Sequence, residues 1–427
     1  MRVLWFTNVP LPALSAHLGR PPSVGEHWVH TLASLLLAEP GTELAIATAV
    51  PGASDIQFTS NGVRYYTIGQ APGTPFLSHS NRDLTRARAI IADYHPDIVH
   101  VHGTEKFYGL VSEVELDAPV VLSIQGLISQ YRRFFFAGLN YRERFRTLRV
   151  RDILRLKGPL FEYRFWHNGA KRELDIIKRN QYFIGRTDWD KAWVSAVNPR
   201  ATYYSCDEVI RQDFFDRRWS QANMQRHSIL FTNSMQPLKG IPVLIDAAAI
   251  LLRKYSDLHV CLAGDWYPKS GWGRIITHKL RELGLQPHFT FEGPVDAITL
   301  SSLLIRTNVF ASPSWIENSP NSIAEAMLVG APCVAPFTGG LGTILTHGET
   351  ALMYPPGDSA LLAAAISQIF DDDALAARLV TAARSVALQR HDPQRIVHRQ
   401  LEIYAEVVAN FQRSADQPLA GTLAVSR

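Results

Sequence analysis

The chain has 427 residues, 46% of them hydrophobic and 19% charged, with a net charge of +4 and three cysteines. That length is too great for one ordinary core and implies two domains, and the composition excludes a disordered chain. No apolar run approaches the ~18–20 residues of a membrane span, and the wide spacing of Cys206, Cys261 and Cys333 excludes a disulfide framework or a metal site built on cysteine.

In order along the chain, a strand over 3–7 comes first, without the pattern of a cleavable signal. Strands over 44–48, 64–68, 98–102, 120–124, 182–184 and 202–204 then alternate with helices over 26–38, 81–93, 140–156, 159–179 and 188–196. A polar run at 216–227, poor in aliphatics, reads as a linker. Beyond it the alternation restarts. Strands over 229–232, 259–263, 289–292, 309–311 and 333–335 are interleaved with helices over 241–254, 272–283, 297–306, 320–329, 359–370 and 373–389. This pattern predicts an α/β protein of two Rossmann-like doubly wound parallel-sheet domains, 1–215 and 228–392, facing a central cleft. A last helix over 393–412 is expected to return to the first domain, with 413–427 a frayed tail. The cysteines sit in apolar, strand-like settings that suit free thiols in a reducing compartment, so the expected location is the cytoplasm.

Charge is uneven along the chain. Between residues 131 and 180, fourteen Lys or Arg face five acids, an excess of nine that leaves the remainder at −5. Ten aromatics, from Tyr131 to Trp166, share the stretch. Such an insert suits an anionic surface on the inner face of the plasma membrane, or an acceptor carrying a lipid diphosphate. The plainer alternative is a pair of helices with a solvated basic face. No nucleic-acid-binding motif accompanies the charge, so no nucleic-acid partner is expected.

The most informative segment, residues 314–336, reads as strand, loop, helix, strand. Ser319 and Pro320 fit an N-cap and first helical position, and Gly330 stops the helix. Asn321, Ser322 and Ile323 would then present N–H groups without intrahelical partners at the positive end of the dipole, a seat for an anion. Glu325 lies about 8 Å further along the axis and leans back toward that end, and Glu317 precedes the cap. An anion seat between two carboxylates suits a nucleotide-sugar, with phosphates in its middle and hydroxyls at its ends.

Glu317 and Glu325, separated by seven residues and followed by Ala326-Met327 and Gly330-Ala331-Pro332, resemble the E-x7-E motif of retaining glycosyltransferases of family 4 (group 1). The context strengthens the match: Asn308-Val-Phe-Ala-Ser-Pro-Ser314 before it, and Thr338-Gly339-Gly340, His347-Gly348-Glu349-Thr350 and Tyr354-Pro-Pro-Gly-Asp358 after it. The resemblance is strong over 222–412 and looser over the first 220 residues, and it implies the GT-B fold.

It also implies roles. Glu325 would hold the ribose hydroxyls and Glu317 the donor sugar's hydroxyls. Lys239, in Gln236-Pro-Leu-Lys-Gly-Ile241, would meet the donor diphosphate. The Arg that commonly accompanies that Lys is replaced by Asn233, so Arg186 is a candidate for the missing charge. Gly339 and Gly340 resemble the loop that lies along the donor, and Gly25 resembles a first-domain glycine loop that usually has two glycines. Gln125 stands where many relatives have a His that contacts the transferred sugar; an amide cannot carry a proton, so positioning and a proton-accepting leaving phosphate would have to suffice. His102 either contacts the acceptor or is a satisfied strand-end histidine.

No metal or other cofactor is expected. Asp188-Trp-Asp190 has the form of a metal-binding motif but opens a helix, where acids are ordinary. The expected partners are a nucleotide-sugar donor and a glycan or lipid-linked acceptor. The expected function is retaining glycosyl transfer to an acceptor hydroxyl in cell-surface polysaccharide assembly. The alternatives are transfer to a soluble small acceptor, or a catalytically silent homologue that binds nucleotide or glycan.

Overall fold

The structure, a computed structural model, describes residues 1–21, 27–147, 158–233 and 236–416. Its first sheet comprises β1 (Arg2–Thr7), β2 (Glu43–Pro51), β3 (Gln57–Ser60), β4 (Val63–Gln70), β5 (Ile98–His102), β6 (Val120–Ser123), β7 (Tyr182–Gly185) and β8 (Thr202–Ser205). They are ordered β3-β4-β2-β1-β5-β6-β7-β8. The second comprises β9 (Ser228–Asn233), β10 (His259–Gly264), β11 (Phe289–Gly293), β12 (Val309–Ala311), β13 (Cys333–Pro336) and β14 (Leu352–Tyr354), ordered β11-β10-β9-β12-β13-β14. The β3–β4 pair is antiparallel, and the other strand pairs are parallel. Strands buried on both faces need near-continuous apolar runs: Leu44 to Val50 of β2 are all buried.

Two strands escape the sequence reading. β14 has only three residues. β3 has an alternating, half-exposed pattern, and its signal is the turn that follows it, where Asn61 and Gly62 adopt φ of 50° and 78°. An Asn-Gly pair at positive φ is the favoured two-residue hairpin turn.

The second core is built on β9–β14 and draws in Phe214 and Trp219 from the crossover between sheets. The predicted helix over 140–156 is seen as Tyr141–Arg146, closed at its start by a capping box of Asn140 and Glu143; its continuation at 148–157 lies outside the described residues. The final helix, Pro393–Asp416, runs past the predicted boundary at 412 and lays Ile403, Tyr404 and Val407 into the core of the first sheet. There the Tyr404 hydroxyl accepts from Trp5 Nε1 at 3.0 Å and lies 2.6 Å from His100 Nδ1. All three cysteines are free thiols.

Part of the basic, aromatic insert packs against the second domain. Phe135 and Leu139 belong to the second core, and both Phe135 and Phe136 lie 5.8 Å from the Trp272 ring. Arg274 donates to the Arg146 carbonyl at 2.8 Å. The insert therefore straps the first sheet's domain to the second. Its described basic side chains stay mostly exposed, together with Tyr141 at 79%, Phe145 at 72% and Leu160 at 53%. Among the described residues, no helix is long and apolar enough to cross a membrane.

Candidate active site

The carboxyl ends of β5, β6 and β7 converge on those of β9 and β12, where open α/β sheets leave a crevice for ligands. The cavity there measures about 370 Å³, within the usual range for small-molecule sites. Trp28, Glu105, Gln125, Gly126, Tyr131, Arg186 and Glu208 wall it on one side, and Lys239, Glu317, Ser319, Pro320, Asn321 and Ser322 on the other.

At its centre, Lys239 Nζ donates to Glu317 Oε1 at 2.6 Å, and Ser314 Oγ donates to the same oxygen at 2.8 Å. Glu317 is 5% exposed, and these two donors occupy its buried oxygen. Behind the wall, the loop bearing Glu317 is fixed from both sides. The Gly340 N–H donates to the Glu317 carbonyl at 2.9 Å. A Cβ on Gly339 would lie 1.9 Å from that carbonyl, at a φ of +50°. These glycines, predicted to form a loop along the donor, pack closely against the backbone of the Glu317 loop.

Asn318 locks the loop to the opposite domain. Its Oδ1 accepts from Thr187 Oγ1 at 2.7 Å, and its Nδ2 donates to Asp190 Oδ2 at 2.9 Å and to the Gln125 carbonyl at 3.3 Å. Asp190 thus completes the capping box opened by Thr187 and acts as an interdomain acceptor, taking the Tyr203 hydroxyl as well.

The helix Asn321–Val329 begins one residue later than predicted. Pro320 is the N-cap, with an extended φ/ψ of −73°/126°, and no side chain caps the helix; Ser319 instead lines the cavity. The Ile323 N–H donates to the Pro320 carbonyl at 3.1 Å, and Ile323 is fully buried. Tight first-turn bonding therefore removes Ile323 from the anion seat, leaving Asn321 and Ser322 on the cavity wall.

Glu325 lies deeper and is paired: Arg211 donates to its Oε1 at 2.6 Å. Burial raises the Glu325 carboxyl, and Arg211 opposes the shift. Arg211 comes from the crossover and stacks over Phe214 at 4.9 Å. Arg186 is on the wall, 5.5 Å from the Trp28 ring, but its guanidinium is bound to Glu208. The free cation sought in Arg186 is therefore neutralised by its neighbour. Burial pushes Glu208 up to about 7 against the pull of Arg186, and burial likewise pushes Glu105 up to about 7. Both acids gain negative charge as pH rises through that value.

His102 stands behind Trp28, 1% exposed, with neither ring nitrogen hydrogen-bonded among the described residues. Among the described residues it is therefore not satisfied by hydrogen bonds, and burial holds it well below the usual imidazole range, neutral. Gln125 is on the wall, its Nε2 buried without a partner among the described residues. Asn233 ends β9, and its side chain lies outside the described residues, as does Gly25. Arg211, Glu208, Asn318 and Glu105 escaped the sequence reading. Of these, only Asn318 carried a local signal, as the neighbour of Glu317.

The family model described as "Glycosyl transferases group 1" matches residues 226–372, and that described as "Glycosyl transferase 4-like" matches 23–141. A 2-deoxystreptamine N-acetyl-D-glucosaminyltransferase of Niallia circulans is 26% identical over 42% of this chain and 45% of its own length. The chain thus aligns with less than half the length of the curated relatives it matches. Sucrose-phosphate synthase of Thermosynechococcus elongatus superposes with a TM-score of 0.72 at 19% identity, covering 96% of this chain and 100% of the other. HepE of Anabaena, solved with UDP and glucose, superposes with a TM-score of 0.67 at 15% identity over 95% and 100%. These likenesses show a shared GT-B fold.

Proposed function

We propose that this chain, which belongs to the group 1 glycosyltransferases of GT-B fold, moves a sugar from a nucleoside diphosphate sugar to a hydroxyl of a glycan or lipid-linked glycan acceptor. The setting is cell-surface polysaccharide assembly. The observation that carries the reading is the Lys239–Glu317 pair beside the start of the helix Asn321–Val329. In this reading Lys239 and the helix N-terminus meet the diphosphate without a metal. Glu317 meets the sugar hydroxyls and Glu325 the ribose. That HepE was solved with UDP and glucose supports a uridine nucleotide as the first to try.

Transfer proceeds with retention in this reading. The carbon–oxygen bond to the β-phosphate breaks, its electrons leave with the diphosphate, and the acceptor oxygen enters on the same face. The departing phosphate takes the acceptor's proton, and Gln125 holds hydroxyls without exchanging one.

Calorimetric titration with UDP, GDP and ADP and their sugar conjugates tests the assignment. One nucleotide is expected to bind at micromolar Kd, with affinity unchanged by EDTA. No binding by any of them to folded protein overturns it.

The exposed edge of the insert carries Tyr141 and Phe145 among Arg142, Arg144 and Arg146, a combination suited to anionic headgroups. Co-sedimentation with phosphatidylglycerol vesicles is expected, weakening with salt and lost in Tyr141→Ser/Phe145→Ser. A second reading, transfer to a soluble acceptor, is favoured by the Niallia relative, whose name gives 2-deoxystreptamine as its substrate. Intact activity without vesicle binding would establish that reading in place of the membrane-associated one.

A further inference from the structure

We propose that Glu105 holds an acceptor hydroxyl next to the reacting one, where the donor cavity opens into a second, apolar cavity, and that the acceptor carries an apolar group which fills that second space. This rests on the transferase reading above and specifies the acceptor class for it.

The second cavity measures about 560 Å³. Its walls are Phe76, Leu77, Ile128, Phe165, Trp166 and Leu238. Polar groups are few there. Glu162 is one, and its carboxylate is already engaged by Trp272; Gln236 is another. A further sugar ring in this space would lose its water with too few partners to replace it, at a cost of roughly 1–3 kcal/mol for each unpaired hydroxyl. An alkyl or prenyl group would gain from the same walls.

Both cavities are lined by Glu105, Gly126, Tyr131 and Lys239. Because the acceptor oxygen must come within bonding reach of the donor carbon, the reaction takes place where the two spaces meet. Of the shared residues, Gly126 has no side chain and Lys239 is engaged with Glu317. The Tyr131 ring lies parallel to Trp189 at 6.4 Å. Glu105 offers a carboxylate, the strongest acceptor for a hydroxyl proton. It is held in place: Asn8 Nδ2 donates to Oε2 at 3.0 Å, the Gly126 N–H donates to the carboxylate, and Arg172 grips the Glu105 carbonyl. A carboxylate has about four lone-pair sites, so these donors leave room for a substrate hydroxyl.

The test uses n-octyl β-D-glucopyranoside below its micellar concentration and methyl β-D-glucopyranoside as probes, titrated calorimetrically. Octyl glucoside is expected to bind at least about tenfold more tightly than the methyl compound, from burial of its chain. Phe76→Ala, at a half-exposed position on the cavity mouth, and Trp166→Ala should each remove most of that difference and leave methyl glucoside unchanged. Glu105→Ala should weaken both probes about tenfold through the lost charged hydrogen bond.

Equal binding of the two probes, or a preference that survives both Phe76→Ala and Trp166→Ala, overturns the apolar assignment. Unchanged binding to Glu105→Ala overturns the role of Glu105. Nucleotide titration of the same wild-type sample separates the two claims. Nucleotide bound without octyl preference defeats this inference alone, whereas octyl preference without nucleotide defeats the transferase reading.

Discussion

Lys239→Met is expected to weaken binding of a nucleoside diphosphate by about two orders of magnitude, close to 3 kcal/mol, because a charge-assisted contact is lost and a buried acid is unmasked. Lys239 is paired with Glu317 at 2.6 Å. The other cation on the cavity wall, Arg186, is already matched by Glu208. Glu105 adds a further acid. Removing Lys239 therefore leaves an incoming diphosphate facing acids, with the Asn321–Val329 helix end as the remaining attraction.

The double variant Lys239→Met/Glu317→Gln separates the two contributions. It should recover about tenfold of the lost affinity, since the unmasked repulsion goes while the lost attraction stays. Its transfer activity should not recover if Glu317 holds the sugar as proposed. Calorimetry with UDP and steady-state release of UDP read the two separately. A Lys239→Met protein that binds nucleotide within about threefold of wild type would remove Lys239 from the diphosphate seat.

What the sequence made legible was local. The Lys239-Gly240-Ile241 turn, the Glu317 loop and the helix bearing Glu325 each lie within a short segment whose spacing and turn chemistry set their geometry. The alternation of strand and helix announced two parallel sheets for the same reason. The partners that tune these groups come from far along the chain. Arg211 and Glu325 are 114 residues apart, Thr187 and Asn318 are 131 apart, and Lys239 and Glu317 are 78 apart.

No periodicity encodes such pairings: Thr187 and Asn318 meet only once the two sheets face each other, and Lys239 meets Glu317 only once β9 and β12 lie side by side. The insert makes the same point through its aromatics. Phe135 and Phe136 look alike in sequence whether they meet a bilayer or the Trp272 ring, because apolar surface is non-directional and takes the partner the fold provides. The β3 strand was different. Its Asn61-Gly62 signal was present locally and outweighed by the strand's polarity.

Arg211 and Glu325 supply the second large effect, and the pair's asymmetry makes it diagnostic. The Glu325 side chain is 9% exposed and that of Arg211 19%. Arg211→Ala leaves a buried carboxylate without its counter-charge, a loss of roughly 3–5 kcal/mol in folding stability. Glu325→Ala leaves a guanidinium nearer to water and still stacked on Phe214, so about 1–2 kcal/mol is expected. Urea denaturation should rank the variants in that order, and the double variant should be more stable than Arg211→Ala alone.

Nucleotide binding should reverse the ranking. Glu325→Ala removes the carboxylate meant for the ribose diol and should lose about tenfold to a hundredfold in affinity. In folded Arg211→Ala the carboxylate remains, so the loss should be smaller. A 2′,3′-dideoxynucleotide, lacking the diol, should bind wild type and Glu325→Ala with similar affinity. If it still discriminates between them, Glu325 belongs to the fold and the ribose is held elsewhere. If it does not, Arg211 fixes the orientation of a carboxylate whose second oxygen is free for substrate, and the buried pair unites stability with donor recognition in one interaction.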